Sequence, residues 1–284
     1  MAQRADANLA AYLAHLARTS GSGVVSERPG LLLFAGSHNY PGAFTNGVIR
    51  TGPGDPVTAV PAIEVLAAAA DFFGRRRRGF VLWVRRAQDA DLAAAARDAG
   101  LWQRPPPGGN PGLAIDHPVP EVDPPEGVTI RRVRDAGQRA DYLRVVAATY
   151  GVGAVPLPVA EQILFSRASL DAPEVAAFVA YRGDAPVACC LVYLAAGAAG
   201  LQWAATVPAA RGAGLGQLAF RAACNAGFAL GARCAAGMAS AAGTPVWTRQ
   251  GMRVVTHYER YLGRPPAGSG GAQVSPGSGA VGSP

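Results

Sequence analysis

Apolar residues recur at regular spacing along the first 118 residues of the chain. Leu9, Leu13 and Leu16 lie three or four residues apart, which predicts a helix over residues 2–17. Short apolar runs between glycines and prolines predict strands, and alanine-rich stretches predict further helices. The predicted strands cover residues 31–35, 47–50, 80–84 and 113–116, and the further helices cover residues 61–73 and 89–99. This alternation predicts an α/β or α+β domain.

A proline-rich stretch separates this part from the rest of the chain. Residues 118–127 contain four prolines and three acidic residues, a composition typical of an extended linker. We therefore predict a first domain over residues 1–118, a linker over residues 119–127 and a second domain over residues 128–264.

The second domain shows the same kind of alternation. Its predicted strands cover residues 128–132, 175–182, 186–194, 201–207, 233–240 and 253–262, and its predicted helices cover residues 136–150, 158–169, 214–230 and 244–250. Glycine, serine, proline and alanine dominate residues 265–284, which predicts a disordered tail.

Composition and charge narrow the classes of protein. Of the 284 residues, 50% are hydrophobic and 16% charged, which excludes wholesale disorder. All 26 basic residues are arginine, so a Schiff-base or nucleophilic lysine is excluded. The net charge is +7. The segment after residue 184 contains seven arginines and a single acidic residue, Glu259, so it carries +6 of this net charge. We expect any anionic ligand to bind in this part.

Cysteine usage and hydropathy bear on the compartment. The four cysteines show no paired C-x-x-C spacing and no signal peptide precedes them, so we expect neither zinc nor disulfides, and a cytoplasmic location. Residues 185–210 carry no charge, but prolines, glycines and Gln202 interrupt them, so we expect strands there and no membrane span.

A glycine-rich turn between a buried strand and a helix is the most informative segment. Gly212, Gly214 and Gly216 allow backbone amides to converge on an anion at the start of a helix, which predicts a phosphate-binding turn. It is not a Walker loop, because the chain has no lysine. A dinucleotide fingerprint would require its third glycine at position 217, where Gln217 stands.

The residues 211–216, Arg-Gly-Ala-Gly-Leu-Gly, fill every specified position of the pattern Arg/Gln-x-x-Gly-x-Gly/Ala. Together with a late block over residues 244–253, they make residues 128–262 similar to the GCN5-related N-acetyltransferases (GNAT). The resemblance implies the GNAT acyl-CoA acyltransferase fold, with a mixed central sheet flanked by helices. It also implies acetyl-CoA as cosubstrate, an amine as acceptor, and no metal.

The resemblance further implies how acetyl-CoA is held. Backbone amides of residues 211–216 bind its pyrophosphate, and the strand before them diverges from its neighbour and pairs with the pantetheine arm. The implied binding residues are Ala205, Thr206, Val207, Arg211, Gly212, Ala213, Gly214, Leu215, Gly216 and Gln217.

The catalytic groups common in the family do not stand at their positions. Trp247 occupies the place of the usual tyrosine acid, and no carboxylate lies between Asp184 and Glu259. Three explanations remain open. In the first, a water relay or a base from elsewhere in the fold takes the proton of the amine. In the second, the CoA thiolate leaves without an acid. In the third, the protein binds acyl-CoA without turning it over. The candidate residues for proton transfer are Tyr193, His257 and Glu259.

The first half resembles the closing half of a GNAT fold, without the glycine-rich loop. This implies two GNAT-like domains in tandem, the first one degenerate. Trp83 and Trp102 are expected in its core, and Arg75 and the three arginines after it are expected to form a solvated helix end and not a nucleic-acid site.

The leading hypothesis is an enzyme that transfers an acetyl group directly from acetyl-CoA to an amine of a small molecule or protein. The alternative is a non-catalytic acyl-CoA-binding or regulatory protein. We expect no nucleic-acid partner, because only the arginine content favours one. The sequence does not define the acceptor or the oligomeric state, for which a homodimer is one option.

Overall fold

A computed structural model describes residues 1–39, 42–52, 59–150, 160–162 and 164–264. The helices of this part of the chain are α1 (Ala2–Thr19), α2 (Ala62–Gly74), α3 (Ala90–Asp98), α4 (Ala136–Tyr150), α5 (Arg167–Leu170), α6 (Leu215–Ala229) and α7 (Gly243–Thr248). The strands are β1 (Val24–Arg28), β2 (Leu31–Ala35), β3 (Asn46–Arg50), β4 (Phe80–Arg85), β5 (Trp102–Gln103), β6 (Asn110–Ile115), β7 (Val128–Arg132), β8 (Val175–Arg182), β9 (Ala185–Ala195), β10 (Ala198–Thr206), β11 (Cys234–Met238) and β12 (Arg253–Gly263).

All twelve strands form one mixed sheet. Their order is β1-β2-β3-β4-β12-β6-β11-β10-β9-β8-β7, with β5 paired to β12. The pairs β3–β4 and β10–β11 are parallel, and the other pairs are antiparallel. Each parallel pair is joined by a helix, α2 in the first half and α6 in the second, so the two halves repeat the same strand-helix-strand unit.

The two halves exchange their last strands. The strand β12, from the end of the second half, lies between β4 and β6 of the first half. The strand β6, from the end of the first half, lies between β12 and β11. We call this arrangement the strand exchange. It makes the sheet continuous across both halves of the chain.

Helices cover both faces of the sheet. Cys189, Leu191 and Tyr193 pack in one cluster with α1 and α4, whereas Cys190 packs on the other side with α6 and α7. In the first half, Val81 and Trp83 of β4 face α1, whereas the opposite face of that strand packs against α2 and α3. The two cysteines therefore lie on opposite faces, as the alternation along a strand predicts.

The helix α1 packs against both halves. Tyr12 and Leu16 belong to the cluster under the second half, while Leu9 and Leu13 belong to the cluster under the first half. Asn8 anchors the helix, because its amide nitrogen donates to the carbonyls of Tyr193, Ala195 and Ala198 at 3.0, 3.2 and 2.9 Å. This helix thus lies along the middle of the sheet.

Most predicted elements are confirmed within one to three residues, but several details were wrong. The strands β1 and β5 were missed, since both are short and expose much of their surface. Trp102 was expected in the core and is 51% exposed, because β5 pairs with the sheet over only two residues. Trp83 is fully buried, as expected.

The predicted helix over residues 158–169 is also corrected in part. Residues 160–162 are helical, but the chain then turns, and Ser166 caps a separate short helix, α5, by accepting a hydrogen bond from the Ser169 amide. The remainder of that prediction, and the predicted disordered tail over residues 265–284, lie outside the described residues.

Candidate functional site

The parallel strands β10 and β11 diverge, which opens a gap in the sheet that we call the strand split. They pair only over Ala198–Gly200 and Cys234–Ala236. Beyond this point β10 stays paired with β9, and β11 stays paired with β6 as far as Met238. Gly237 lines the split, where an added Cβ would come within 2.5 Å of the Leu201 carbonyl oxygen.

A β-bulge interrupts β10 beside the split. The pairing with β9 shifts between Gln202 and Ala205, and Trp203 within the bulge has a positive φ of 52°. The Trp203 indole N–H donates to the Tyr12 hydroxyl at 2.8 Å, and the Tyr150 hydroxyl donates to the Ala204 carbonyl at 2.7 Å. Helices α1 and α4 therefore hold the bulge in place.

The glycine-rich turn follows β10, and each glycine serves a distinct need. Gly212 and Gly214 have positive φ angles of 80° and 75°, a backbone conformation that other residues rarely adopt. Gly216 is required by packing instead, because an added Cβ would lie 2.3 Å from the Thr206 Oγ1. The turn therefore lies close against the end of β10.

The backbone amides of residues 212–216 lie in the glycine-rich turn and at the first two residues of α6. None of them forms a hydrogen bond with a described residue, as expected for the amino end of a helix. The exposed Arg211 lies beside them, with its Nε 3.4 Å from the Thr206 carbonyl oxygen. Consecutive amides without partners, beside a guanidinium at the start of a helix, are suited to bind an anion.

Two glutamines connect this turn to α7. Gln250 donates from Nε2 to the Gln217 Oε1 at 3.1 Å, while its own Oε1 is buried without a partner among the described residues. Trp247 on α7 packs against Gly237 and against Phe220, with ring centroids 5.3 Å apart for the two aromatic side chains. An indole therefore closes one side of the strand split.

The predicted binding residues lie together along one edge of the split. Ala205 and Thr206 end β10 and Val207 follows it, while residues 211–217 form the turn and the first residues of α6. Ala205 is buried, whereas Thr206 and Val207 are partly exposed. The role of these residues in binding acetyl-CoA remains a prediction.

The three candidate residues for proton transfer do not lie together. The buried Tyr193 hydroxyl is 3.5 Å from the Ala11 carbonyl oxygen. Glu259 accepts a hydrogen bond from the Tyr261 hydroxyl at 2.9 Å, on the face covered by α2 and α3. His257 and Glu259 belong to β12, three strands from β10, which is on the order of 14 Å at the usual strand spacing. Their part in proton transfer also remains a prediction.

Sequence analysis weighed Tyr258 as a participant but did not connect it with the other residues that meet on the α1 face of the split. A small cavity there is lined by Gln202 of β10, Gly237 and Met238 of β11, and Tyr258 of β12. The Tyr258 hydroxyl donates to the Asp6 carboxylate of α1 at 2.7 Å. No local signal in the sequence connects these residues, because they come from four separate elements.

Within the described ranges, no three His, Cys, Asp or Glu side chains group closely enough to hold a metal ion. None of the helices in those ranges combines the length and the hydropathy needed to cross a bilayer.

Comparison with known proteins gives matches at the level of structure. No protein-family model and no curated protein matches the chain. A GCN5-related N-acetyltransferase from Kribbella flavida has a TM-score of 0.66 and 22% identity, over 93% of this chain and 96% of that one. A second one, from Sphaerobacter thermophilus, has a TM-score of 0.59 and 16% identity, over 91% and 92%.

A third match shares the two-part organisation. It is a tandem GNAT protein from the clavulanic acid biosynthesis pathway, with a TM-score of 0.57 and 13% identity, over 91% of this chain and 94% of that one. The chain has the tandem GNAT fold. The fold class expected from the sequence is thereby confirmed.

The two halves of this tandem GNAT fold differ where their parallel strands end. The second half has the open strand split, but in the first half β3 and β4 end on buried charges. Arg50 and Arg85, the last residues of these strands, both contact Asp89, at 3.3 and 2.9 Å. A buried ion-pair network therefore occupies the position that corresponds to the split.

Proposed function

We propose that the protein transfers an acetyl group from acetyl-CoA to an amine of a small molecule or protein. The observation that carries this proposal is the strand split, which opens directly onto a helix start with five amides that have no partner among the described residues. The excess of arginine in the second half supports a ligand rich in phosphate.

The described residues fit acetyl-CoA. The amides of residues 212–216 and the Arg211 guanidinium would hold its pyrophosphate, and Gly216 keeps the turn close to β10. The free edge of β10 over residues 205–207 would pair with the pantetheine arm. When bound there, acetyl-CoA supplies the reactive thioester at the strand split.

The side chains around the split favour a reaction driven by positioning. Trp247 carries no acidic proton, and Gln202 stands where a carboxylate base would be expected on β10. Holding the amine and the thioester together, with backbone donors to polarise the carbonyl, would provide much of the rate increase. The thiolate would leave without an acid, or by way of water.

Calorimetric titration with acetyl-CoA and with CoA, combined with thiol release over a panel of amines, tests this function. We expect binding of both ligands and thiol release with at least one amine. The variant Gly214→Leu is expected to lose binding, because it forces a branched side chain into the positive φ of the turn. Unchanged affinity in this variant would contradict the binding site.

A second candidate function is that of an acyl-CoA-binding or regulatory protein without turnover. Trp247 and the absence of a carboxylate between Asp184 and Glu259 favour it. Binding of acetyl-CoA without thiol release, over amines of every class, would support this candidate. Acetylated product with any of them would exclude it.

The remaining features of the proposal concern organisation. We propose that residues 128–264 bind acetyl-CoA, that residues 1–118 form a degenerate copy and that residues 119–127 link them. We also propose a cytoplasmic location, without nucleic-acid or membrane partners.

A further inference from the structure

The cavity on the α1 face contains a polar side chain with no partner. Gln202 is only 9% exposed, it lines the cavity, and its side-chain amide forms no hydrogen bond with any described residue. A buried amide in this state is costly unless a ligand or water satisfies it. The cavity has a volume of about 10 Å³, room for one water-sized group, so Gln202 marks it as a place for a single small polar group such as an ammonium or a water.

A proton path leads out of this cavity through β12. Tyr258 lines the same cavity as Gln202, and its hydroxyl donates to the Asp6 Oδ1 at 2.7 Å. Burial raises the pKa of Tyr258 well above its usual range, so its hydroxyl stays protonated at neutral pH. It can pass one proton on to Asp6 while it receives another from the cavity.

Asp6 belongs to a largely buried network of charged side chains that contains one more acidic than basic group. Its Oδ2 lies 3.7 Å from the Arg85 Nη1, Arg85 pairs with Asp89, and Arg50 joins Asp89 to Asp91. Asp6 and Asp89 are buried with the two guanidinium groups, whereas the third carboxylate, Asp91, is 57% exposed. With all five groups ionised, the network carries one net negative charge. Such a network can accept one proton.

The groups around Asp6 act on its ionisation in opposite directions. Burial raises the pKa of Asp6 above 3.8, and the negative charge of Asp89 raises it further. The hydrogen bond from Tyr258 and the charge of Arg85 lower it. The effect of burial is the largest, so Asp6 is a stronger base than an exposed aspartate.

We propose that Tyr258 and Asp6 form a proton relay that accepts the proton of the incoming amine in the cavity beside the strand split. Tyr258 is the catalytic residue of this relay, and Asp6 is a positioning residue that acts through it. This inference rests on the proposed acetyl transfer.

The reaction balances with these groups. The ammonium gives one proton to the Tyr258 oxygen while the Tyr258 proton moves to Asp6. The neutral amine nitrogen then attacks the thioester carbonyl carbon, the C–N bond forms and the C–S bond breaks. The second amine proton leaves with the thiolate as free thiol, and Asp6 finally releases its proton to solvent.

The variant Asp6→Asn tests the relay, because it removes the charge and keeps an acceptor for the Tyr258 hydroxyl. We expect kcat/KM at pH 7 to fall by about 100-fold or more, within the range typical of general base catalysis. Log kcat/KM of this variant should then rise with pH up to the pKa of the amine itself. The wild type should stay active well below that pH.

Further variants separate the relay from a structural effect. Tyr258→Phe should reproduce the altered pH profile, and Asp6→Glu should restore part of the activity. The matched control is Tyr261→Phe, which removes another buried hydroxyl of β12, bonded to Glu259 on the opposite face. It should leave the profile unchanged. All four variants should bind acetyl-CoA like the wild type.

A second measurement does not depend on turnover. In protein labelled with ¹³C at the aspartate carboxyl carbons, the resonance absent from Asp6→Asn identifies Asp6, and its titration should have a midpoint above 3.8. A midpoint at or below this value overturns the relay. If the wild type is active and Asp6→Asn keeps the same pH profile, the relay is also overturned. If the wild type does not bind acetyl-CoA, the proposed function itself is overturned.

Discussion

The guanidinium of Arg85 binds the carboxylate of Asp89 side-on, with Nε 2.9 Å from Oδ2 and Nη2 3.0 Å from Oδ1. Asp89 also accepts a hydrogen bond from the Arg85 amide at 2.9 Å. Both side chains are at most 2% exposed. This contact fixes the turn between β4 and α3.

Removal of Asp89 should destabilise the protein strongly. Asp89→Ala leaves Arg85 and Arg50 buried without their shared carboxylate, which costs about 3–5 kcal/mol for a broken buried pair. The pair Asp71–Arg75 has the same four-residue spacing but is exposed. Asp71→Ala should cost less than about 1 kcal/mol. Urea unfolding of both variants measures the difference, and equal losses would show that burial is not the cause.

The contact between Gly216 and Thr206 should control acetyl-CoA binding. Gly216→Ala places a Cβ against the Thr206 Oγ1 and pushes the start of α6 away from β10. We expect the Kd for acetyl-CoA to rise at least about tenfold, which corresponds to 1.4 kcal/mol. Calorimetry on the double variant Thr206→Ala/Gly216→Ala should return the Kd of Thr206→Ala alone. A double variant as weak as Gly216→Ala would contradict the steric explanation.

Trp247 should be more important for stability than Trp102. Trp247 is 6% exposed and packs on Phe220, so Trp247→Ala should lower the free energy of unfolding by about 3–5 kcal/mol. Trp102 is 51% exposed, and Trp102→Ala should change it by no more than about 0.5 kcal/mol. Thermal melts of the two variants provide the comparison. Similar melting temperatures would show that Trp247 is not part of the core.

His15 should make the fold sensitive to acid. Burial lowers the pKa of His15 from 6.5, although the hydrogen bond to the Ser169 carbonyl opposes this effect. The unfolded chain therefore binds a proton at a higher pH than the folded one, and stability is lost as the pH falls below about 6.5. Between pH 7.5 and pH 5, urea unfolding should show a larger loss for the wild type than for His15→Gln. Parallel losses in the two proteins would assign the acid sensitivity to other groups.

Local patterns predicted the elements that depend on local sequence. Phe80–Arg85 and Val175–Arg182 were found from their apolar runs, and the turn at Gly212 and Gly214 from glycine spacing at a helix start. The edge strand Val24–Arg28 was missed because none of its residues is fully buried and they are mixed in polarity. Such a strand has little hydrophobic signal of its own.

Long-range contacts could not be read from the sequence. Asp6 lies 252 positions from Tyr258 in the chain, and an aspartate in the first turns of a helix is usually solvated. The pairing of β12 with β4 likewise depends on the packing of the whole sheet. Periodicity places a residue on an element, but it does not determine which distant element that residue meets.

The strand exchange has a consequence for how such a protein can be divided or recombined. A fragment that ends at the linker would lack β12 between β4 and β6, and the complementary fragment would lack β6 beside β11. Each would expose open strand edges, which favour aggregation. Consider a hybrid protein in which one half comes from a distant relative. We expect it to fold only if both exchanged strands match their new neighbours. The two halves are therefore inherited as one unit.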